Sequence, residues 1–257
     1  SWETDKNKLN EWKKVKVITA VELEDWLSYY PSVALWLTEK LNISHRVKIQ
    51  SIESYWHQWS TNDKGQQLCY SVAIGGRKES VKELLEKTEN HIAIDVCSHS
   101  IEESLAFVVA AILQYGDDSL KNRVLFAKDN ETTGLLASQC SNMVIISSGD
   151  DKNIDPNENC LVYVAHPSSR SKSGVSITLQ TPEPDDFINA LKESGFNETQ
   201  ARQLCSDTGR STAILRRKLG FERNNPDWAK PENISRLLPA FLIGRWLNNQ
   251  EGDKKIN

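Results

Sequence analysis

Apolar residues along this chain change their rhythm twice. From position 68 to 179, short apolar runs bounded by polar turn residues alternate with longer stretches in which apolar positions recur at helical spacing. The runs at 68–74, 91–97, 123–127, 143–147, 161–164 and 175–179 read as strands, and the stretches at 78–87, 101–115 and 132–140 as helices. Such alternation predicts βαβ units and an α/β fold with a largely parallel sheet, because parallel neighbours need a crossover long enough to hold a helix.

Before position 67 the chain is rich in tryptophan and reads as helical after one short strand at 15–18. Thr19 with Glu22 forms a capping box ahead of Val21, Leu23, Trp26 and Leu27, and Pro31 opens a second helix over 32–41. Trp26, Trp36, Trp56 and Trp59 are expected to form the core of this region, since large aromatics at helical spacing usually pack. After Thr181 the rhythm is helical again, with helices predicted at 184–194, 198–208, 211–219 and 234–247. Gly195, Gly209 and Gly220 stand where three of those helices should end. Three regions follow: a Trp-rich helical segment 1–66, an α/β core 67–180 and a helical bundle 181–257. Two polar stretches, 149–159 and 167–174, read as exposed loops.

Composition narrows the function classes. The five cysteines stand singly, with no CxxC spacing, which argues for a reducing compartment and against a zinc site or a disulfide framework. A net charge of −4 offers no global attraction to nucleic acid or anionic lipid. The longest apolar runs, such as 105–113, are far shorter than the ~20 residues of a membrane-spanning helix. The expectation is a cytoplasmic protein without a membrane partner. The first residue is Ser rather than Met and both ends are polar, so the chain also reads as an internal piece of a longer polypeptide. No GxSxG elbow, HExxH pair, EF-hand loop or GxGxxG fingerprint occurs, and the five histidines are unclustered. Neither a catalytic residue nor a metal site is assigned.

One ordered set of parts carries a resemblance. Ile74, Gly75, Gly76, Arg77, Lys78 and Glu79 lead into a helix; the apolar strand 92–96 follows, then a turn and a long helix. This order resembles the opening of AAA+ and STAND-type P-loop ATPases, where a Gly-Arg-acidic signature precedes a helix and the first sheet strand runs into the phosphate-binding loop. The resemblance spans 68–220 and extends to the trailing helices, which would correspond to the family's lid. The whole layout is similar to internal segments of large bacterial multidomain proteins of antiviral defence. What the resemblance implies is a signalling ATPase core placed between an effector and a sensor.

The residues at the phosphate loop depart from the family. A P-loop needs glycines, so that backbone N–H groups can wrap the phosphates, and then Lys followed by Ser or Thr. The matching stretch from Cys97 to Leu105 contains no glycine and no lysine, and Glu102 and Glu103 stand near the lysine's place. Two carboxylates there would repel a triphosphate, by roughly 1–4 kcal/mol for each charge pair near a surface. Ser98 or Ser100 could equally cap this helix, with the glutamates favouring its dipole.

The resemblance further marks Asp129, at the end of the strand 123–127, as a magnesium-coordinating acid, although Asp129 also reads as a helix N-cap. It marks Arg210, Arg216 and Arg217 as candidates for the lid arginine that contacts the terminal phosphate. The nucleotide-site candidates are thus Arg77, Ser98, Glu102, Asp129 and Arg210. The basic cluster that includes Arg202, Arg216, Arg217, Lys218 and Arg223 offers a different reading, phosphate contact with nucleic acid through Arg216 and Arg217.

The function expected from these residues is a non-catalytic, ATPase-like scaffold or switch whose partners are flanking domains of the same polypeptide and other proteins. No cofactor is expected, Mg-ATP being the one that a non-standard site would take. The alternatives are a divergent NTPase, in which Glu102, Asp129 and Arg210 surround Mg-nucleotide, and a nucleic-acid-binding module.

Overall fold

A computed structural model describes residues 2–8, 15–41, 48–89, 93–148, 154–165 and 175–221. The chain begins with α1 (Trp2–Lys8), α2 (Ala20–Ser28) and α3 (Pro31–Lys40). The capping box forms, Thr19 Oγ1 accepting from the Glu22 amide at 3.2 Å and Glu22 Oε2 accepting from the Thr19 amide at 2.8 Å. The strand expected at 15–18 is absent. A strand exists only where a neighbour can pair with it, and the place beside the last parallel strand is taken by β1 (Ile49–Gln50).

After β1 come α4 (Ile52–Ser60), α5 (Ser71–Ile74) and α6 (Lys78–Thr88). The strand expected at 68–74 is instead an extended connection followed by the single turn α5. Val72, Ala73 and Ile74 are all buried there, and a short run of consecutive apolar residues fits a buried strand and a buried helix equally.

The remaining elements alternate as predicted: β2 (Ala93–Cys97), α7 (Ile101–Tyr115), α8 (Asp118–Lys121), β3 (Val124–Ala127), α9 (Asn130–Gln139), β4 (Val144–Ser147), β5 (Cys160–Ala165) and β6 (Ser176–Thr178). They build one six-stranded mixed sheet in the order β1-β3-β4-β5-β2-β6, parallel throughout except for β1 against β3. From β2 the chain travels to β3 past two strands, then returns through β4 to β5. Right-handed crossovers in opposite directions put their helices on opposite faces. Accordingly α7 lies on one face with Ile94, Val96, Val124, Phe126, Ile146 and Val162, whereas Ala137 of α9 packs on the other with Leu125, Ile145, Leu161 and Tyr163.

Helix α7 is buried almost all round from Glu103 to Ile112, as a helix apolar on every side must be. The sheet covers one side of it, and α4, α5, α6 and the final one of the last helices contact it elsewhere. Those last helices are α10 (Pro184–Glu193), α11 (Glu198–Thr208) and α12 (Thr212–Lys218). Phe187, Leu191, Ala201 and Leu215 belong to the same apolar cluster as Trp56, Phe107 and Ile94, so residues from all three predicted regions share one core. The predicted helix at 234–247 and the predicted loop at 167–174 lie outside the described residues.

The tryptophans divide. Trp56 and Trp59 are buried and stack with ring centroids 5.0 Å apart. Trp26 and Trp36 are 49% and 54% exposed, contrary to the expectation of a tryptophan core. Helix α2 buries none of its residues, and α3 reaches the sheet through Leu35 and through a 2.6 Å hydrogen bond from Ser32 Oγ to the Val124 carbonyl. None of the five cysteines is in a disulfide, and Cys69 and Cys140 are only half-buried. Among the described residues no helix is long and apolar enough to cross a membrane.

Candidate functional site

The turn from β2 into α7 is only residues 98–100. Ser98 is buried and its hydroxyl donates to the Ser100 carbonyl at 2.7 Å, 2.8 Å from the Ser104 hydroxyl. Ser100 Oγ accepts from the Glu103 amide at 3.1 Å and so caps the helix. A phosphate cradle needs a run of free backbone N–H groups in conformations that glycine permits. Three residues without a glycine make too short a turn for such a run, and the serine hydroxyls brace it from within.

The two glutamates at this helix start point to different arginines. Glu103 turns inward, its Oε1 accepting from Arg77 Nη2 at 2.5 Å, with both side chains at least nine-tenths buried. Arg77 also donates to the carbonyls of Ala73 and Gln180, at 2.9 Å each, and so ties α5, α7 and the segment after β6 together. Gly76 makes this approach feasible: it holds φ at +72°, and a Cβ there would meet the Asp186 carboxylate at 2.6 Å. The Gly-Arg signature therefore serves here to bring an arginine into the core beside the first turn of α10.

Glu102 turns outward and accepts from Arg216 Nη1 of α12 at 3.0 Å. Repulsion of a triphosphate by two bare carboxylates is thus not what this site presents, because each acid is matched by an arginine.

Arg216 sits in the wall of a cavity of about 460 Å³ at the carboxyl ends of the sheet. Its guanidinium is 5.0 Å from the centre of the Trp59 ring, and its Nε donates to the Trp59 carbonyl at 3.0 Å. From α4, Tyr55 and Gln58 join Trp59; from α7, Ile101 and Leu105 join Glu102. Phe126, Lys128 and Ser148 come from the ends of β3 and β4, and Gln50 from β1. Open α/β sheets take ligands outside the carboxyl ends of their strands. Burial pushes the Tyr55 phenol well above its ordinary value, with Arg216 drawing it part of the way back and Glu102 opposing that, so the hydroxyl stays protonated.

No known family model matches this chain, and no curated protein is significantly similar to it.

The other sequence-predicted residues have partners elsewhere. Asp129 caps α9, accepting from the Thr132 amide at 2.8 Å, and pairs with Lys48 at 3.1 Å. Arg210 has a left-handed φ of 66° and donates to the Pro182 carbonyl at 3.1 Å. Glu102, Asp129 and Arg210, taken together in the NTPase reading, have no partner in common, and neither Asp129 nor Arg210 lines the cavity that Glu102 borders. In the basic cluster Arg202 pairs with Glu198, Lys218 with Asp207 and the buried Arg216 with Glu102, while Arg217 is exposed. Arg223 lies outside the described residues. His99 contacts the Thr181 hydroxyl at 3.3 Å, and no metal-ligand cluster occurs among the described residues.

Sequence reasoning missed Gln50, Tyr55, Gln58 and Phe126 as cavity residues. Tyr55, Gln58 and Trp59 share one face of α4 at positions i, i+3 and i+4, a usable signal, but nothing local says that β1 and α12 close over that face.

The thermodynamics of Asp129 give a test. The Thr132 amide, then the Thr132 side chain, then Lys48 hold its carboxyl at about 2, below an unfolded value of about 3.9. A depressed carboxyl stabilises the fold above its unfolded pKa and loses that effect as pH falls through the folded one. Asp129→Asn keeps a capping oxygen without the charge. The melting-temperature gap between the wild type and this variant is expected to close between about pH 4 and pH 2. A gap unchanged across that window would show that Asp129 is not ionised against Thr132 and Lys48.

Proposed function

We propose that this chain is a non-catalytic, P-loop-ATPase-like module that serves as a scaffold or switch within a larger bacterial protein. The observation that carries this reading is the turn at 98–100, three residues without a glycine and too short to wrap a phosphate. The mostly parallel sheet, its flanking helices and the helical bundle after β6 agree with an ATPase-like plan. A switch needs a joint, and the Glu102–Arg216 pair supplies one between the start of α7 and the trailing bundle. Motion of α12 would reach the central helix through it. The flanking domains of the polypeptide would be the partners that move.

Calorimetric titration with Mg-ATP and Mg-ADP at millimolar concentration tests the reading. No saturable heat is the expected result. Saturable binding that is lost in Arg210→Ala would establish a non-standard nucleotide site and replace the scaffold by a divergent NTPase.

A further inference from the structure

We propose that the cavity beside α7 is a binding site for a small organic acid with a flat aromatic body, and that Glu102 holds the acid's place on Arg216 until the ligand arrives. The cavity adjoins the helix start that follows the turn at 98–100, but the inference rests on Arg216 and the cavity wall and not on the scaffold reading.

Four observations lead to it. First, the volume of about 460 Å³ lies within the range of about 300–1,000 Å³ typical of metabolite-sized pockets. Second, Arg216 is 8% exposed, yet only its Nε and Nη1 have hydrogen-bond partners among the described residues. A guanidinium carries five N–H donors arranged as a fork that suits carboxylate or phosphate oxygens. Here the Glu102 carboxylate takes one prong, and with its side chain 59% exposed it can swing into water at little cost.

Third, two other polar groups in the wall are unpartnered. Gln50 and Trp59 are 6% and 3% exposed, and among the described residues neither Gln50 Nε2 nor Trp59 Nε1 has a hydrogen-bond partner. Orphaned buried donors are uncommon in folded proteins, and both lie just behind the cavity surface, closed to water. Fourth, Tyr55 and Phe126 add aromatic surface to the wall, and Ile101 and Leu105 aliphatic surface, beside the polar Gln58 and Ser148. The ionic groups at the rim and wall are Arg216 and Lys128 against Glu102. That excess of one positive charge selects an anion over a cation.

The head group is either a carboxylate or a phosphate, both of which match the fork. Binding breaks the Glu102–Arg216 contact and so acts on α12, which would give a small acid control over the joint between the sheet and the bundle.

Two probes separate the sources: 2-naphthoate and 2-naphthyl phosphate, titrated into the intact chain and followed by Trp fluorescence and calorimetry, with naphthalene-2-methanol as the uncharged control. Saturable binding of one acid at a single site is expected, and whichever of the two binds identifies the head group. Glu102→Gln removes the internal competitor and should tighten binding by up to about fivefold, the worth of a partly exposed ion pair. Arg216→Lys keeps the charge but loses the fork and should weaken binding by about tenfold or more. Lys128→Ala, at an exposed position that leaves the core intact, should weaken it by a smaller factor and guards against a folding defect in the Arg216 variant. The proposal is overturned if neither acid binds the wild type or Glu102→Gln, if the uncharged alcohol binds as tightly as the acids, or if Arg216→Lys, shown by circular dichroism to be folded, binds as the wild type does.

Discussion

Arg77→Met is expected to destabilise the fold by about 3–5 kcal/mol, the cost of removing one partner from a buried ion pair. The side chains of Arg77 and Glu103 are 3% and 6% exposed, so solvent screens the pair little. Loss of the guanidinium leaves the Glu103 carboxylate without its counter-charge in the first turn of α7, and leaves the Ala73 and Gln180 carbonyls without a donor. Urea unfolding with an unchanged denaturant slope measures the effect. The companion Arg77→Met with Glu103→Leu should recover a large part of the loss, because two apolar side chains of similar bulk avoid an uncompensated charge. The two orphaned carbonyls keep the recovery incomplete. A loss below about 1 kcal/mol for Arg77→Met would place the pair in effective contact with water.

Asn159→Ala is the second large loss, at about 3 kcal/mol, argued from three hydrogen bonds of one fully buried amide. Asn159 Oδ1 accepts from the Met143 amide at 2.9 Å, and Nδ2 donates to the Ala137 and Cys140 carbonyls at 3.2 and 2.8 Å. These bonds fasten the end of α9 to the starts of β4 and β5. Alanine removes all three at once and offers water no entry to replace them. Asn157 is the internal comparison: it is exposed, has a φ of 52° and donates to the same Ala137 carbonyl at 2.8 Å. Asn157→Gly should change the thermal midpoint far less, since glycine accepts that left-handed conformation and a single peripheral bond is lost. Equal losses in the two variants would mean that Asn159 is not the fastening point.

Asn159 also marks a limit of sequence reading. In the acidic, Asn-rich stretch 149–159 it looks like one more loop residue, yet it is fully buried. The same limit applies to the helix start at α7. Glu102 and Glu103 are adjacent and chemically identical, but a helix turns about 100° per residue and sends one to Arg77 in the core and the other to Arg216 at the cavity. The arginines come from 26 residues before Glu103 and 114 residues after Glu102.

Local chemistry in the sequence determined much of this protein. Apolar runs of β type with helical stretches between them placed β2, β3, β4, β5 and β6 and the helices α6, α7 and α9, because each element's burial pattern is written in its own residues. Serine, asparagine, aspartate and glycine placed the helix ends, from Ser100 and Asp129 to Gly195 and Gly209, because caps are made by neighbours in the chain. The absence of a glycine-lysine phosphate loop was equally legible.

Tertiary structure alone decided the rest. Whether 68–74 became strand or helix depended on what packed against it, and whether a tryptophan was core depended on whether its side of the helix was buried, as on α4 and not on α2. The cavity drew its walls from β1, α4, α7, α12 and the ends of β3 and β4. A site of that kind has no sequence motif, because its residues become neighbours only when the sheet order and the crossover hand bring distant segments together.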